Sequence, residues 1–218
     1  MTHPKTFQRA YSRHHKEQRA ADLLEAARVL GTREGVRAVT LTAIAGHAGV
    51  HASAVRRYYS SREEILLSLA EEGYRDWSED VAARLAGRRA TSDELARALT
   101  ASLAARPLFC DLLTHVPLTL EREVTYERVH AFKAVALACV ETLVTAITSA
   151  SALDTAQAGD LVIAVIAMAA PLWQAAHPAE TLTRLYAEEP GLAHLGIAFE
   201  PTLVRLVSAL ADGMTGRA

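Results

Sequence analysis

Two adjacent arginines, Arg56 and Arg57, have the residue type and spacing to contact the edges of DNA bases. An arginine guanidinium can donate two parallel hydrogen bonds to O6 and N7 of guanine in the major groove. One such contact contributes about 1–3 kcal/mol of discrimination against other bases. The chemistry that this pair predicts is therefore contact with base edges or with the adjacent phosphates, and a solvated surface is the alternative.

The arginines follow a tight turn between two short segments with helical spacing of apolar residues. Thr40 opens the first segment, where its side-chain oxygen can accept hydrogen bonds from the N–H groups two and three residues on. Ala45 allows the two segments to approach closely, and Gly49 can adopt the left-handed conformation of the turn. In the second segment, Val50, Ala54, Val55 and Tyr58 have the spacing of a buried face, and His51, Ser53, Arg56 and Arg57 remain outside. The pattern predicts a helix-turn-helix, which also occurs as a plain packing unit.

Further contacts to the DNA backbone are predicted at the starts of two helices. Thr40 and Thr42 lie where the N–H groups of the second helix favour an anion, although capping alone would also explain Thr40. Arg62 lies in the first turn of the fourth helix, where a cation is unfavourable unless a phosphate is nearby. Tyr58 is expected to pack its ring and to direct its hydroxyl to a phosphate, whereas Tyr59 is expected in the core.

The charge of the chain is divided unequally along its length. Among 218 residues there are 23 Lys+Arg and 25 Asp+Glu, but residues 1–65 hold 11 and 6 of them, respectively. A basic module on an acidic body can neutralise phosphates while the body stays away from the polyanion. We therefore predict a flexible basic arm over 1–16, a DNA-binding domain over 17–66 and a helical body over 67–218. The arm carries Lys5, Arg9, Arg13, His14, His15 and Lys16, and it follows the DNA backbone, enters the minor groove or is a plain tail.

The apolar pattern predicts an all-α protein, because its repeats run at three and four residues and glycines mark their ends. The first helix is expected from about Glu17 to Arg33, with Gly35 closing it. The fourth helix is expected to start at two overlapping capping boxes, Ser60 with Glu63 and Ser61 with Glu64, and to continue to about Leu85. Further helices are expected over about 93–106, 108–115, 121–150 and 201–214, with a loop at 87–92. The segment 155–176 is apolar nearly all round, which predicts burial in the core, against a partner subunit, or both.

Several other classes of protein are disfavoured. The longest apolar run, 161–173, is shorter than the roughly 20 residues that cross a bilayer, and the N-terminus has no signal-peptide pattern. A cytoplasmic protein is expected, with Cys110 and Cys139 as reduced packing residues.

Glu127 and His130 have the spacing of a di-iron motif, but no second copy occurs. No nucleophile elbow or glycine-rich phosphate loop is present, so no enzyme, cofactor or metal site is predicted. A helical interaction protein without specific DNA binding is the alternative function.

Two stretches carry a resemblance to a known family. Residues 39–50 read VTLTAIAGHAGV and residues 55–66 read VRRYYSSREEIL. Over about 17–66 the chain resembles the DNA-binding domain of tetracycline-repressor (TetR) family regulators, in the Ala-Gly-Val turn, the aromatic pair and the Ser-Arg-Glu-Glu-Ile segment. Two departures are Gly46 inside the second helix, which costs about 1 kcal/mol relative to alanine, and Arg56, where the family often has tyrosine. The arginine at position 56 suggests that this protein recognises an operator sequence of its own.

The C-terminal part is similar to the ligand domain of one actinobacterial-type branch of that family, in RPLFCDLL at 106–113 and AFKA at 131–134. The resemblance implies a homodimer held by the last two long helices, a palindromic operator on double-stranded DNA, and a small-molecule effector that lowers DNA affinity. A bundle rich in Ala, Leu and Val suits a mostly apolar effector. The candidate effector contacts are Phe109, His115, Tyr126, His130, Met168 and Trp173.

Overall fold

The computed structural model describes residues 5–193 and 197–216, with side chains from residue 15 onward. Within these ranges the chain is helical and contains no strand, which confirms the predicted all-α class. Most of the predicted basic arm, including the side chains of Lys5, Arg9, Arg13 and His14, lies outside the residues whose side chains are described. The backbone of the first helix begins at Lys5, about twelve residues before the predicted start.

The N-terminal domain consists of three helices and a short turn that closes the first of them. Gly35, with φ of 83°, ends the first helix as predicted and leads into a 3-10 turn at Val36–Ala38. Leu23, Ala27 and Leu30 form the buried side of that helix because their spacing places them on one face. The helices are α1 (Lys5–Glu34), α2 (Leu41–His47) and α3 (Ala52–Val55).

The body contains the remaining helices, and α4 passes from one domain into the other. Ser61 caps α4, since its hydroxyl accepts the Glu64 N–H at 3.2 Å. Ser60, predicted to form a second capping box with Glu63, instead donates its N–H to the Glu64 carboxylate at 2.6 Å. The helices are α4 (Arg62–Leu85), α5 (Ser92–Ala104), α6 (Pro107–His115), α7 (Tyr126–Ala150), α8 (Thr155–Ala176), α9 (Glu180–Glu188) and α10 (Phe199–Thr215).

The segment between α6 and α7 differs from its prediction. A π-helical turn at Val116–Leu120 follows α6, and Pro117 lies in its first turn. Proline has no N–H to donate, and the Glu121 N–H reaches back to the Val116 carbonyl at 3.2 Å instead. Helix α7 therefore begins at Tyr126, capped by Thr125, and not at Glu121. The short helix α9 was not predicted.

Among the residues that the structure describes, two helices, α7 and α8, are by length and composition alone long and apolar enough to cross a bilayer. Both pack within the helical body, α7 against α4 and α8, and α8 against α6, α7 and α10. Each also leaves a large apolar side chain outside, Leu137 on α7 and Ile163 on α8. The sequence prediction considered only uninterrupted apolar runs and did not identify these two helices as candidate spans.

Both cysteines are free and buried, as the sequence predicts for packing residues. The thiol of Cys110 donates to the Leu103 carbonyl at 3.3 Å. Burial raises the pKa of Cys110 to about 12, and the neighbouring charge of Asp111 acts in the same direction. Since the thiolate is the reactive form of cysteine, Cys110 is unreactive in the folded protein.

Helices α4 and α6 approach closely because α4 carries a glycine at the contact. A Cβ atom added to Gly73 would lie 2.2 Å from Cδ2 of Phe109 and 2.9 Å from its Cβ. The Phe109 ring is itself held in the core by Tyr74, at a centroid distance of 5.0 Å, and by Trp77, at 6.1 Å. Any side chain at position 73 would therefore force α6 away from α4.

Replacing Gly73 with alanine is expected to lower the free energy of unfolding by about 1–3 kcal/mol, as overpacking of a close-packed core does. The clash outweighs the roughly 1 kcal/mol that alanine gains over glycine in a helix. Denaturant unfolding measures the change. Gly46→Ala is the matched control, because nothing lies within 4 Å of the added Cβ, and it should stabilise the protein. Equal or higher stability of Gly73→Ala would show that α6 is not fixed by this contact.

Candidate nucleic-acid interface

The helix-turn-helix forms as predicted. Gly49 has a φ of 65° in the turn between α2 and α3, where residues with a Cβ are strained. The Val50 N–H donates to the Ala45 carbonyl at 2.9 Å and closes that turn. Thr40 caps α2, since its Oγ1 accepts the Ala43 N–H at 3.1 Å. Ile44 and Ala45 are buried beneath the motif, so the two short helices are fixed on the core of the domain.

The residues predicted to face outward do so. His51, Ser53, Arg56 and Arg57 are exposed, as are Thr40 and Thr42 at the start of α2. His51 has a further role that the sequence analysis missed, because its Nδ1 accepts the Ser53 N–H at 3.3 Å and caps α3. The same nitrogen lies 2.9 Å from Ser53 Oγ. These two side chains are therefore pre-oriented at the exposed end of α3.

The two arginines extend from the turn that follows α3, not from the helix itself. Helix α3 ends at Val55. The N–H of Arg57 then donates to Ala54 at 3.2 Å and that of Tyr58 to Val55 at 2.9 Å, which is the i to i+3 pattern of a tight helical turn. Within the part of the chain that the structure describes, no carboxylate pairs with either guanidinium, so both remain available to an external anion.

The aromatic pair behind the arginines anchors the motif. Tyr59 donates its hydroxyl to the Ala20 carbonyl on α1 at 3.2 Å, in agreement with the core role predicted for it. Burial raises the pKa of Tyr59, and the negative charges of Glu64 and Glu72 add to that effect. Tyr58 is half-buried and packs against the hydrophobic core. The end of α3 is thus attached to α1.

Arg62 lies in a different environment from the one predicted, since its guanidinium binds within the domain. Its Nη2 donates to the Val36 carbonyl at 2.8 Å, and its Nε donates to the carbonyl of Val39. Its Nη1 also contacts Glu63 at 3.1 Å, and only 25% of the side chain is exposed. In place of the expected phosphate, Arg62 has two backbone carbonyl oxygens and the Glu63 carboxylate as partners, and it fixes the segment that leads into α2.

Replacing Arg62 with glutamine is expected to lower the free energy of unfolding by about 1–3 kcal/mol, because the Val39 carbonyl loses a charged donor and the Val36 carbonyl keeps only the Val39 N–H. Denaturant unfolding followed by circular dichroism measures this. Arg37→Gln is the matched control, since Arg37 lies exposed in the neighbouring turn. Unchanged stability together with weaker, less salt-dependent DNA binding would instead support the original prediction of a phosphate contact.

Asp111 of α6 connects the body to this same segment. Its Oδ2 accepts the Val36 N–H at 2.7 Å, and its Oδ1 accepts Nε2 of Gln174 on α8 at 2.8 Å. His115 Nε2 lies 3.6 Å from Oδ1. Burial acts to raise the pKa of Asp111, but the hydrogen bonds from His115, Val36 and Gln174 outweigh it, so the pKa is lowered. An ionised carboxylate thus joins three elements at the junction of the two domains.

A cavity of about 390 Å³, partly open to solvent, lies beside α6. Its lining residues come from α4, α6, the π-helical turn, α7 and α8. Thr114 ties two of its walls together, because its Oγ1 donates to the Ala170 carbonyl of α8 at 3.2 Å. Its lining residues are Tyr74, Leu113, Thr114, Val116, Pro117, Glu121, Phe132, Lys133, Ala136, Ile166, Ala167, Ala170 and Pro171. Helix α6 therefore contacts both the cavity and the segment that precedes α2.

None of the six residues proposed as effector contacts lines this cavity. Phe109 is core, and His115 lies beside Asp111. Tyr126 is 76% exposed and packs near His130, at 6.1 Å between rings. Trp173 stacks on His177 at 3.8 Å, and Met168 is half-buried. Whether a helix position faces the core, the cavity or the solvent depends on which helices pack around it. The sequence analysis did not place those neighbouring helices. Leu113, Phe132 and Lys133 do line the cavity and fall within the RPLFCDLL and AFKA segments, which were the available signals.

Comparison with known families decides the identity of the fold. Residues 23–69 match the family described as bacterial regulatory proteins, tetR family, and residues 71–218 match the tetracyclin repressor-like C-terminal domain. The chain belongs to the TetR family. Together the two matches cover the helix-turn-helix and the whole body, which makes the chain a DNA-binding transcriptional regulator by family. No curated protein sequence matches it.

Solved structures of TetR-family regulators share this fold. A possible TetR family regulator from Streptomyces coelicolor A3(2) is 20% identical with a TM-score of 0.59, over 91% of this chain and 100% of the other. The fatty acid degradation regulator FadR from Bacillus halodurans is 15% identical with a TM-score of 0.55, over 88% and 97%. FadR from Bacillus subtilis, solved with stearoyl-CoA, is 17% identical with a TM-score of 0.51, over 87% and 97%.

Proposed function

We propose that this TetR-family regulator is a ligand-responsive repressor that binds a palindromic operator as a homodimer in the cytoplasm. The observation that carries the proposal is the exposed end of the helix-turn-helix, where Arg56 and Arg57 project with no carboxylate partner among the described residues. A cation left unpaired beside a helix that fits the major groove is suited to guanine edges and phosphates.

The remaining DNA contacts follow from the positions of the neighbouring side chains. His51 and Ser53, at the start of α3, are placed to reach base edges when α3 enters the major groove. Thr40, Thr42 and the hydroxyl of Tyr58 are placed to reach phosphates on either side of the groove. Phosphate contacts set the register of the protein on DNA, whereas base contacts set its sequence preference.

The proposed homodimer uses the free apolar faces of α8 and α10. These two helices pack against each other, and each exposes a large apolar residue, Ile163 at 64% and Leu206 at 40%. Exposed apolar side chains on adjacent helices favour association with a second subunit. A two-fold axis there would present two copies of α3 to successive major grooves about 34 Å apart, which requires a palindromic site.

Effector release is proposed to pass through α6. A ligand in the 390 Å³ cavity contacts Leu113 and Thr114, and Asp111 on the same helix binds the Val36 N–H next to α2. A ligand that prefers another position of α6 would therefore change how the helix-turn-helix is held. Thermodynamic linkage then requires that ligand and DNA weaken each other's binding by the same factor. The stearoyl-CoA complex of FadR supports a ligand-binding body in this fold.

Replacing both Arg56 and Arg57 with alanine is expected to lower operator affinity at least about tenfold and to reduce sequence preference. The loss of each phosphate contact should also reduce the slope of log affinity against log salt concentration by about 0.9. Selection from a random duplex pool, followed by titration at two salt concentrations, measures both effects. Arg89→Ala is the control, because Arg89 is exposed in the loop between α4 and α5. Wild-type protein that enriches no palindrome would instead support a helical interaction protein without specific DNA binding.

Replacing Asp111 with alanine is expected to weaken DNA binding about tenfold, because the Val36 N–H loses its acceptor. Amide exchange at Val36 should accelerate by a similar factor. Since the pKa of Asp111 is lowered on folding, its stabilisation is complete above its ordinary value of 3.8 and is lost as pH falls through the lower value. Asp93→Ala, an exposed carboxylate paired with Arg97, is the control. Unaltered DNA affinity and Val36 exchange would remove Asp111 from the proposed route.

A further inference from the structure

The wall of the cavity carries one pair of opposite charges. The Lys133 ammonium lies 2.7 Å from Oε1 of Glu121, without the geometry of a hydrogen bond, and this oxygen is enclosed by protein. The Glu121 side chain is 17% exposed, and its own N–H is fixed to Val116. Lys133 is 61% exposed and reaches the carboxylate from the solvent side. The carboxylate is thus the buried member of the pair, and the ammonium is the exposed one.

An aromatic ring completes the surroundings of that ammonium. Its nitrogen lies 6.0 Å from the centroid of Phe132, within range of a cation–π interaction. Phe132 is buried and packs edge-on against Tyr74 at 6.1 Å, so its position is fixed. Both rings line the cavity. A place suited to a positive charge, with a carboxylate on one side and an aromatic ring nearby, therefore exists at the cavity wall and holds the protein's own ammonium.

The rest of the wall limits which charge a ligand can carry. Apart from this pair, the lining is almost entirely apolar, with Leu113, Val116 and Ile166 among it. An anionic ligand would gain an ion pair with Lys133, but it would place a second negative charge beside the enclosed Glu121. That repulsion is costly in poorly hydrated surroundings. A cationic ligand would replace the ammonium of Lys133, which can return to water because it is largely exposed already.

We propose that the cavity takes an apolar molecule with one positive charge, which binds Glu121 and displaces Lys133. The assignment rests on the proposed function in treating this cavity as the effector site, but ligand binding is measurable without DNA. Lys133 is then a competitor within the protein, so its removal should strengthen binding of a cation. If the pair of Lys133 and Glu121 had only a structural role, removal of Lys133 would not strengthen the binding of a cation.

The test uses three probes with the same alkyl chain, decyltrimethylammonium, 1-decanol and decanoate, titrated calorimetrically into the full chain below their micelle concentrations. The cation should bind the wild type at least about tenfold more tightly than the alcohol, and decanoate should bind least. Lys133→Met should raise cation affinity several-fold, whereas Lys133→Arg should leave it near wild type. Glu121→Gln should remove the advantage of the cation over the alcohol. Glu123→Gln, an exposed neighbouring carboxylate, is the control for that variant.

Three results would overturn the proposal: no binding of the cation, equal binding of all three probes, or tightest binding of decanoate with its loss in Lys133→Met. If Glu121→Gln does not fold, the opposite signs expected for the cation and decanoate in Lys133→Met still decide the question. Operator affinity of the probe-free wild type is measured in parallel. DNA binding without cation binding rejects this ligand class alone, and cation binding without DNA binding rejects the regulatory function alone.

Discussion

Both backbone polar groups of Val36 are bound by side chains from other helices, and the position of the DNA-binding motif depends on this arrangement. The N–H donates to Asp111 of α6, and the carbonyl accepts from Arg62 of α4. Val36 itself is fully buried, so loss of Asp111 would leave its N–H unsatisfied in the core, whereas its carbonyl would keep the Val39 N–H if Arg62 were lost. Since only a few residues separate Val36 from Thr40, the start of α2 is fixed by two helices that belong largely to the body.

This constraint gives α6 a central place in the fold. Phe109 of this helix packs against Gly73 of α4, and Thr114 accepts a hydrogen bond from Gln174 of α8. Asp111 binds the N-terminal domain through the Val36 N–H. The cavity-facing residues of α6 lie one turn or less from Asp111 along the same helix. Helix α6 is therefore the element that contacts both the cavity and the segment preceding the helix-turn-helix.

The sites differ in how much local sequence could predict. The DNA-facing surface depends on short-range rules, namely a threonine cap, a left-handed glycine and the spacing of one helical turn, and the structure places its outward residues as predicted. Arg62 was assigned to phosphate because its partners, the carbonyls of Val36 and Val39, lie 26 and 23 residues away. The cavity residues were missed for the same reason, since five separate elements enclose them.

The sequence by itself determined the helical class, the turn at Gly49, the C-terminal ends of α1 and α4, and the exposure of Arg56 and Arg57, because hydrogen bonds and steric limits within a few residues control these features. Only the tertiary structure decided that Arg62 and Asp111 hold Val36, that α6 contacts both the cavity and the segment before α2, and that Glu121 meets Lys133. Those contacts join residues distant in the chain, and their partners are set by how whole helices pack rather than by any local pattern.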